Sequence, residues 1–158
     1  MMDYEDLYSD MVNKFPSGSH FVELGVWYGR SAAYMAVEIV NSGKQIDLYV
    51  VDNFLKSPID RATNSLKDFK FVDIIQDNTI NASRLFENGS LDLVFVDADH
   101  SAQGVTNDIK AWLPKIKKGG VIAGHDYENW RYPELKIAVD KLLPVKKVSE
   151  MCWYYEVG

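Results

Sequence analysis

HFVELGVWYGRS, residues 20–31, has the pattern of an apolar strand that ends in an acid and a glycine, followed by a tight turn, a second glycine and a helix start. A second acidic strand end, LYVVD at residues 48–52, comes about one β–α–β crossover later. At that distance from a glycine loop, a carboxylate is expected to bind a ribose. Together the two segments predict a β–α–β unit that binds an adenosine-containing ligand.

The composition of the glycine loop argues against two common ligand classes. A dinucleotide loop needs G-x-G-x-x-G so that the backbone can close on a pyrophosphate, and here Trp27 and Tyr28 occupy the region of the middle glycine. The Walker pattern is absent as well, because Gly29 is followed by Arg30 and Ser31 and the spacing is one residue short. Neither a pyrophosphate nor ATP hydrolysis is expected.

A carboxylate at the strand end suggests a different ligand. Glu23 closes the first strand two residues before Gly25, where it can pair with a ligand ammonium group. S-adenosylmethionine carries an amino acid tail and no phosphate, so it suits this loop. The rival ligand is a nicotinamide cofactor of an oxidoreductase, which the missing glycine and the absence of a substrate domain oppose.

The chain resembles the class I S-adenosylmethionine-dependent methyltransferases, most closely their small O-methyltransferase-like branch of the family 24 type. The resemblance rests on residues 23–31, on LDLVFVDADH at 91–100 and on GGVIAGHDY at 119–127, and it extends over about 21–155. It implies an enzyme that methylates a hydroxyl of a small molecule or a glycan. The alternative is a cofactor-binding module, or a partner subunit, without transferase activity of its own.

The resemblance also implies which residues bind the cofactor. They are Glu23, Gly25, Trp27, Tyr28, Gly29, Ser31, Asp52, Asn53, Asp77, Asn78 and Asp97. Asp52 would take the ribose hydroxyls, or else cap the next turn with Asn53. Asp77 would lie near the adenine, or else belong to a helix N-cap with Asn78. Ser31 is expected to cap the first long helix.

The acceptor side of the site follows from the same resemblance. His100 is the candidate general base beside Asp97, and the alternative is a histidine held by Asp97 or Asp99 as a structural pair. Asp97, Asp126 and either His125 or Asp99 are candidate ligands for Mg²⁺ or another divalent cation. In the catechol type, an asparagine follows the second acid, and here that position is Tyr127. Because histidine suits softer ions better than Mg²⁺, the metal requirement stays open.

Apolar runs that alternate with helical periodicity predict the fold class. The expected helices cover 4–14, 30–42, 60–68, 79–86, 102–113 and 133–142. The expected strands cover 20–26, 46–52, 71–76, 91–97, 120–125, 145–149 and 151–157. We expect a Rossmann-like, doubly wound, seven-stranded, mostly parallel sheet with a reversed C-terminal strand and helices on both faces. Residues 1–158 would form a single domain, in which 1–18 are an N-terminal helix and linker and no separate lid domain is present.

Composition limits the partners. The chain has 158 residues, is 47% hydrophobic and carries a net charge of −6, which argues against a nucleic-acid ligand. No apolar run approaches a membrane span and the N-terminus is acidic, so we expect a cytoplasmic protein without membrane contact.

The segments at 54–61 and 127–133 are too short to enclose the site, so we expect the site to be open. Either a second copy of the chain closes it, as a homo-oligomer, or the acceptor is large. Trp27, Tyr28, Trp130 and Tyr132 either line the acceptor pocket or pack in the core.

Overall fold

The computed structural model describes residues 4–149 and 151–158, and it forms one mixed sheet between two layers of helices. The helices are α1 (Glu5–Lys14), α2 (Arg30–Ser42), α3 (Ile59–Leu66), α4 (Thr79–Ala82), α5 (Ala102–Trp112) and α6 (Pro133–Leu142). The strands are β1 (Ser19–Leu24), β2 (Ile46–Asp52), β3 (Val72–Gln76), β4 (Leu91–Val96), β5 (Ile116–Gly124), β6 (Lys146–Lys147) and β7 (Trp153–Glu156).

The order of the strands confirms the predicted fold class. Within the described residues the sheet has seven strands in the order β3-β2-β1-β4-β5-β7-β6. The pairs among β1 to β5 are parallel, whereas β7 runs antiparallel to both β5 and β6. The chain order reverses between β1 and β4. In open parallel sheets, the carboxyl ends of the strands at such a reversal form the ligand-binding crevice.

Alternation along the strands separates two cores, one on each face of the sheet. Phe21 of β1 packs into the core beneath α1, α2 and α3. Its neighbour Val22 packs into the opposite core beneath α4, α5 and α6. Glu23 alternates with Val22 and therefore lies on the α1–α2 face, where its side chain is completely buried.

Most predicted ends agree with the structure within about two residues, and the exceptions have local causes. Strand β5 starts at Ile116 rather than 120, because Ile116 already pairs with Leu91 of β4. The strand then passes through Gly119 at φ +79, and its register with β4 shifts before Leu93. The helix predicted over 79–86 is α-helical only to Ala82 and continues as a 3₁₀ turn. Strand β6 is an exposed pair of lysines, as is common at sheet edges.

The predicted domain 1–158 includes residues 1–3 and 150, which lie outside the described residues. Of the helices that the structure describes, none has the length and apolar character needed to cross a bilayer.

Candidate functional site

The glycine loop after β1 meets the end of β4 at the sheet reversal. The Gly25 amide donates to the Val51 carbonyl at 2.8 Å, and the Asp97 amide donates to the Leu24 carbonyl at 2.9 Å. These bonds tie together the ends of β1, β2 and β4. Gly25, Asp52 and Asp97 therefore lie along one edge of the sheet, the carboxyl edge at which a ligand is expected.

Gly25 is required where it stands. Its φ is +89, a conformation that side chains with a Cβ rarely adopt. An added Cβ would overlap the carbonyl oxygen of Asp97 and lie 2.6 Å from its carbonyl carbon and 2.8 Å from the Cα of Ala98. The glycine thus allows the loop to approach the backbone at the β4 terminus closely.

Glu23 is a buried carboxylate with two hydroxyl donors. The Tyr8 hydroxyl donates to Oε2 at 3.2 Å, and the Ser31 hydroxyl donates to Oε1. Burial raises the pKa of Glu23 to about 8, assisted by the charge of Asp97 and opposed by the two hydrogen bonds. A cationic ligand group beside this carboxylate would compensate its buried charge.

The prediction that Ser31 caps the first long helix is wrong. Helix α2 begins at Arg30, and Gly29, with φ +79, occupies the N-cap position without a side-chain cap. Ser31 already lies in the first turn, and its hydroxyl donates to Glu23 instead. Its contact with Glu23 connects the helix start to the candidate ammonium site.

Asp52 organises the glycine loop through its carboxylate. One oxygen accepts from the amides of Val26 and Trp27 at 2.9 and 3.0 Å, and the other accepts from Phe54 at 2.7 Å. The turn-capping alternative is thus present, while Asn53 caps separately by accepting from Leu55. Since a carboxylate has about four acceptor positions, a ribose hydroxyl can still share it.

Asp52→Asn is expected to weaken S-adenosylmethionine binding about 10- to 100-fold while the protein stays folded. An amide keeps one acceptor oxygen, but its NH₂ group faces a backbone donor, so the loop loses charge-assisted bonds of roughly 1.5 to 3 kcal/mol each. Calorimetric titration measures the change. Asp73→Asn on β3, where the carboxylate is exposed, makes the same charge change away from the loop. Equal affinities in the two variants would contradict the prediction.

Asp77 and Asn78, the two candidate residues that follow β3, make different contacts. Asn78 is the N-cap of α4 and accepts from the Asn81 amide at 2.8 Å. Asp77 accepts from the Asn78 amide at 2.7 Å and from the Asn81 side chain at 3.3 Å, and it remains partly exposed. The predicted capping alternative therefore belongs to Asn78, and Asp77 keeps an accessible carboxylate at the crevice edge.

A second cluster forms where β4 and β5 end. Asp97, His100 and Asp126 each offer a ligand atom, and these atoms lie within 4.8 Å of one another. His100 Nε2 is 2.9 Å from Asp126 Oδ2 and 3.3 Å from Asp97 Oδ1. Asn129 also donates to Asp126 Oδ1 at 2.6 Å. The prediction paired His125 with the two acids as metal ligands, and that assignment stays a prediction. The structure places His100 between the acids, with His125 slightly farther from both.

The acids and the histidine of the cluster shift one another's pKa values. Hydrogen bonds to Asp126 and then Asp97 raise the pKa of His100 to about 9. Burial opposes ionisation of Asp126, but bonds from His100, His125 and Asn129 outweigh it and hold its pKa far below the ordinary range. Burial raises the pKa of Asp97, against the bond from His100. With both acids facing it, His100 carries a proton in the ligand-free protein.

Three neighbouring residues adjoin the cluster. His125 Nδ1 is 3.5 Å from Asp126 Oδ1 and 3.8 Å from Asp97 Oδ1. Asp99, the other ligand considered, is exposed and accepts from the Ser101 amide. Tyr127, at the asparagine position of the catechol type, turns its hydroxyl away to Asp140 of α6.

The aromatic side chains at this edge are mostly exposed. Trp27 is 63% and Trp130 82% accessible, so core packing does not account for either. Tyr28 lies beneath the guanidinium of Arg61 at 4.7 Å. Tyr132 stacks on His100 with ring centroids 4.5 Å apart, which connects loop 127–132 to the acid–histidine cluster.

Sequence reasoning missed the contribution of α1 to this site. Tyr8 reaches Glu23, and the Tyr4 ring lies 6.1 Å from that of His125 in an edge-on arrangement. Burial, followed by the charge of Glu23, raises the pKa of Tyr4 to about 12. The only signal in the sequence was apolar spacing, which indicates a buried helix face and not its distant partners.

Strand order 3-2-1-4-5-7-6, with a glycine loop and acidic strand ends at the reversal, defines the class I α/β methyltransferases. The profile described as a methyltransferase domain, Methyltransf_24, matches residues 22–127. The chain belongs to this methyltransferase family.

Solved structures share the fold at low identity. The O-methyltransferase NovP superposes with a TM-score of 0.74 at 16% identity, covering 97% of this chain and 78% of that chain. CalS11, described as a TDP-rhamnose 3'-O-methyltransferase, gives 0.72 at 16%, covering 98% and 77%. SMU.1697c from Streptococcus mutans, described in complex with SAH, gives 0.71 at 12%, covering 98% and 97%.

A curated relative matches a shorter segment. Uncharacterized protein R132 of Acanthamoeba polyphaga mimivirus is 37% identical over 54 residues. The match covers 34% of this chain and 24% of the viral protein, so the two share only part of their lengths.

Proposed function

We propose that the enzyme transfers the methyl group of S-adenosylmethionine to a hydroxyl of a small molecule or a glycan. The observation that carries this proposal is the convergence of Asp97, His100 and Asp126 within 4.8 Å at the carboxyl edge, next to the glycine loop. A cofactor-binding module would not need such a cluster. CalS11 and NovP, both described as O-methyltransferases, support the choice of a hydroxyl.

The cofactor would bind across the ends of β1 to β4. Glu23 would pair with its ammonium group, while amides near Gly25 and Gly29 approach its carboxylate. Asp52 would share a ribose hydroxyl, and Asp77 would face the adenine. This assignment gives each polar part of S-adenosylmethionine a partner of opposite charge or matching hydrogen-bonding character.

Methyl transfer is an in-line displacement. The bond from the acceptor oxygen to the methyl carbon forms while the sulfonium–methyl bond breaks, and the hydroxyl proton must leave to a base. Protein groups contribute alignment, charge placement and exclusion of water. Asp97, whose pKa burial raises, is the proposed acceptor of that proton. His100, which carries a proton in the ligand-free protein, would act as a base only after losing it, and otherwise would orient Asp97.

The donor set of the cluster fits a divalent cation. Two carboxylates and one imidazole suit Mn²⁺, Fe²⁺ or Zn²⁺ better than Mg²⁺, which prefers oxygen ligands and retained waters. Asp97, His100 and Asp126 would hold the ion, and His100 would release its proton on binding it. Such an ion would act as a Lewis acid that lowers the pKa of the acceptor hydroxyl.

The proposal predicts methyl transfer to hydroxyl acceptors that depends on the cluster. Purified protein is incubated with S-adenosylmethionine, with Mn²⁺, Mg²⁺ or EDTA, and with panels of nucleotide sugars, oligosaccharides and phenols, and SAH is quantified. Asp126→Asn should lower the rate at least about 100-fold, because an amide replaces an anionic ligand and proton partner.

Asp73→Asn, outside the cluster, should retain the wild-type rate. Retention of the rate by Asp126→Asn would contradict the role of the cluster. Turnover on ribosomal RNA but on none of the hydroxyl panels would contradict the acceptor class.

A further inference from the structure

The N-terminal helix reaches the cofactor side of the sheet through one buried hydroxyl. Tyr8 of α1 is completely buried and packs edge-on against Phe95 of β4, with ring centroids 4.8 Å apart. Its hydroxyl donates to Glu23 Oε2 at 3.2 Å. The ring is thus held by the core while its single polar atom is directed at the candidate ammonium site.

We propose that Tyr8 is a positioning residue of the methyltransferase: its hydroxyl holds the Glu23 carboxylate in the orientation and charge state that bind the ammonium group of S-adenosylmethionine. The inference rests on the role given to Glu23 under the proposed function. It adds α1, which no cofactor motif includes, to the binding machinery.

The geometry of the donors supports this role. Ser31 donates to Oε1 and Tyr8 donates to Oε2, so each oxygen of Glu23 has its own hydroxyl donor. An ionised carboxylate only accepts hydrogen bonds, whereas a protonated one must use an oxygen as a donor. Paired donors therefore favour the ionised form, and burial favours the neutral form. Loss of the Tyr8 hydroxyl shifts Glu23 toward the neutral acid, which cannot pair with an ammonium group.

Charged and titratable groups approach Glu23 from several elements. Tyr4 and Tyr8 come from α1 and Asp97 from the end of β4, while Arg30 of α2 acts on Tyr4. Burial, together with the nearby charge of Glu23, raises the pKa of Tyr8 well above its ordinary value, so that Tyr8 remains a donor in neutral and mildly alkaline solution. Arg30 and Asp97 are unchanged in the variants below, so their effects cancel in comparisons at equal pH.

Tyr8→Phe tests the proposal, and Tyr34→Phe is the matched control. The Tyr34 hydroxyl of α2 lies 3.4 Å from Ser9 Oγ of α1, so the control removes a hydroxyl that contacts α1 without touching Glu23. At about pH 7, Tyr8→Phe should raise the Kd for S-adenosylmethionine about tenfold. At about pH 9.5 the ratio to wild type should fall below about threefold, because Glu23 is then ionised in both proteins and the ligand's ammonium group loses its proton equally in both titrations. Tyr34→Phe should stay near the wild-type Kd throughout.

A ratio that does not change with pH would assign Tyr8 to packing alone and overturn the proposal. Carboxyl carbon NMR of Glu23 in the ligand-free proteins gives a second measurement that needs no binding. Tyr8→Phe should raise the Glu23 pKa above that of wild type, and an unchanged pKa would also overturn the proposal. If wild type fails to bind the cofactor, the role of Glu23 fails, while the NMR comparison still decides whether Tyr8 controls its charge.

Discussion

Gly25→Ala is expected to destabilise the protein by about 3 to 5 kcal/mol and to abolish measurable cofactor binding. Two costs combine at this position. A Cβ strains the backbone at φ +89, and it also collides with the backbone of Asp97 and Ala98. Backbone atoms at the end of a central strand cannot move aside as a flexible side chain can. The loop must therefore separate from β4, which opens the crevice.

Gly43→Ala separates the two costs. Gly43 also has a positive φ, +69, but its added Cβ meets nothing within 4 Å. That variant should lose only the conformational term, about 1 to 2 kcal/mol, and should bind S-adenosylmethionine normally. Urea unfolding and calorimetric titration measure both quantities. Similar losses of stability in the two variants would show that the contact with Asp97 is unimportant.

Glu23→Gln is expected to lower the affinity for S-adenosylmethionine more than about 100-fold and, at about pH 8, to stabilise the ligand-free protein by several kcal/mol. An amide cannot pair with an ammonium group, which explains the lost affinity. It can, however, hydrogen-bond the hydroxyls of Tyr8 and Ser31 without burying a charge. Binding and stability should therefore change in opposite directions.

The raised pKa of Glu23 determines how the stability gain of Glu23→Gln depends on pH. Folding raises the pKa of Glu23 from its ordinary 4.5 to about 8, because burial disfavours the carboxylate. Its contribution to stability is complete below about pH 4.5 and is lost as the pH rises towards 8, since the unfolded chain gives up the proton first. The gain from Glu23→Gln should thus be small at about pH 4.5 and largest at about pH 8.

Thermal melting across this range, with calorimetric titration at one pH, measures both effects. Glu38→Gln makes the same chemical change on α2, where the carboxylate accepts from Ser9 at 2.7 Å. That control should leave cofactor affinity within about threefold of wild type, since it lacks the link to the glycine loop. A stability gain that is independent of pH would mean that Glu23 is not neutralised by burial.

The sequence was sufficient to predict the sheet because its signals are local. Central strands contain continuous apolar runs such as LVFV at 93–96, as expected for strands buried on both faces. Their acidic ends identify the carboxyl edge, since the C-terminal ends of parallel strands lie at the same edge of a sheet. Predicted strand ends were wrong where strand pairing overrode local preference. Strand β5 is the example, because it continues through Gly119 while Ile116 still pairs with Leu91.

The sequence could also identify most candidate side chains, but not their partners. Ser31 has the character of a helix cap, yet its hydroxyl turns to Glu23, because a buried carboxylate needs donors more than an exposed helix end does. His125 and His100 were both plausible partners of the acids. The turn after β4 brings His100 Nε2 between Asp97 and Asp126, a choice that depends on three-dimensional distance.

The amino-acid sequence by itself determined the fold class, the glycine loop and the edge of the sheet at which chemistry can occur, because these depend on periodicity and on residues close together in the chain. Only the tertiary structure decided that Tyr8 of α1 donates to Glu23 and that His100 joins the two acids. Such contacts join residues far apart in sequence or set by loop geometry, and nothing in local pattern specifies how packing brings their polar atoms together.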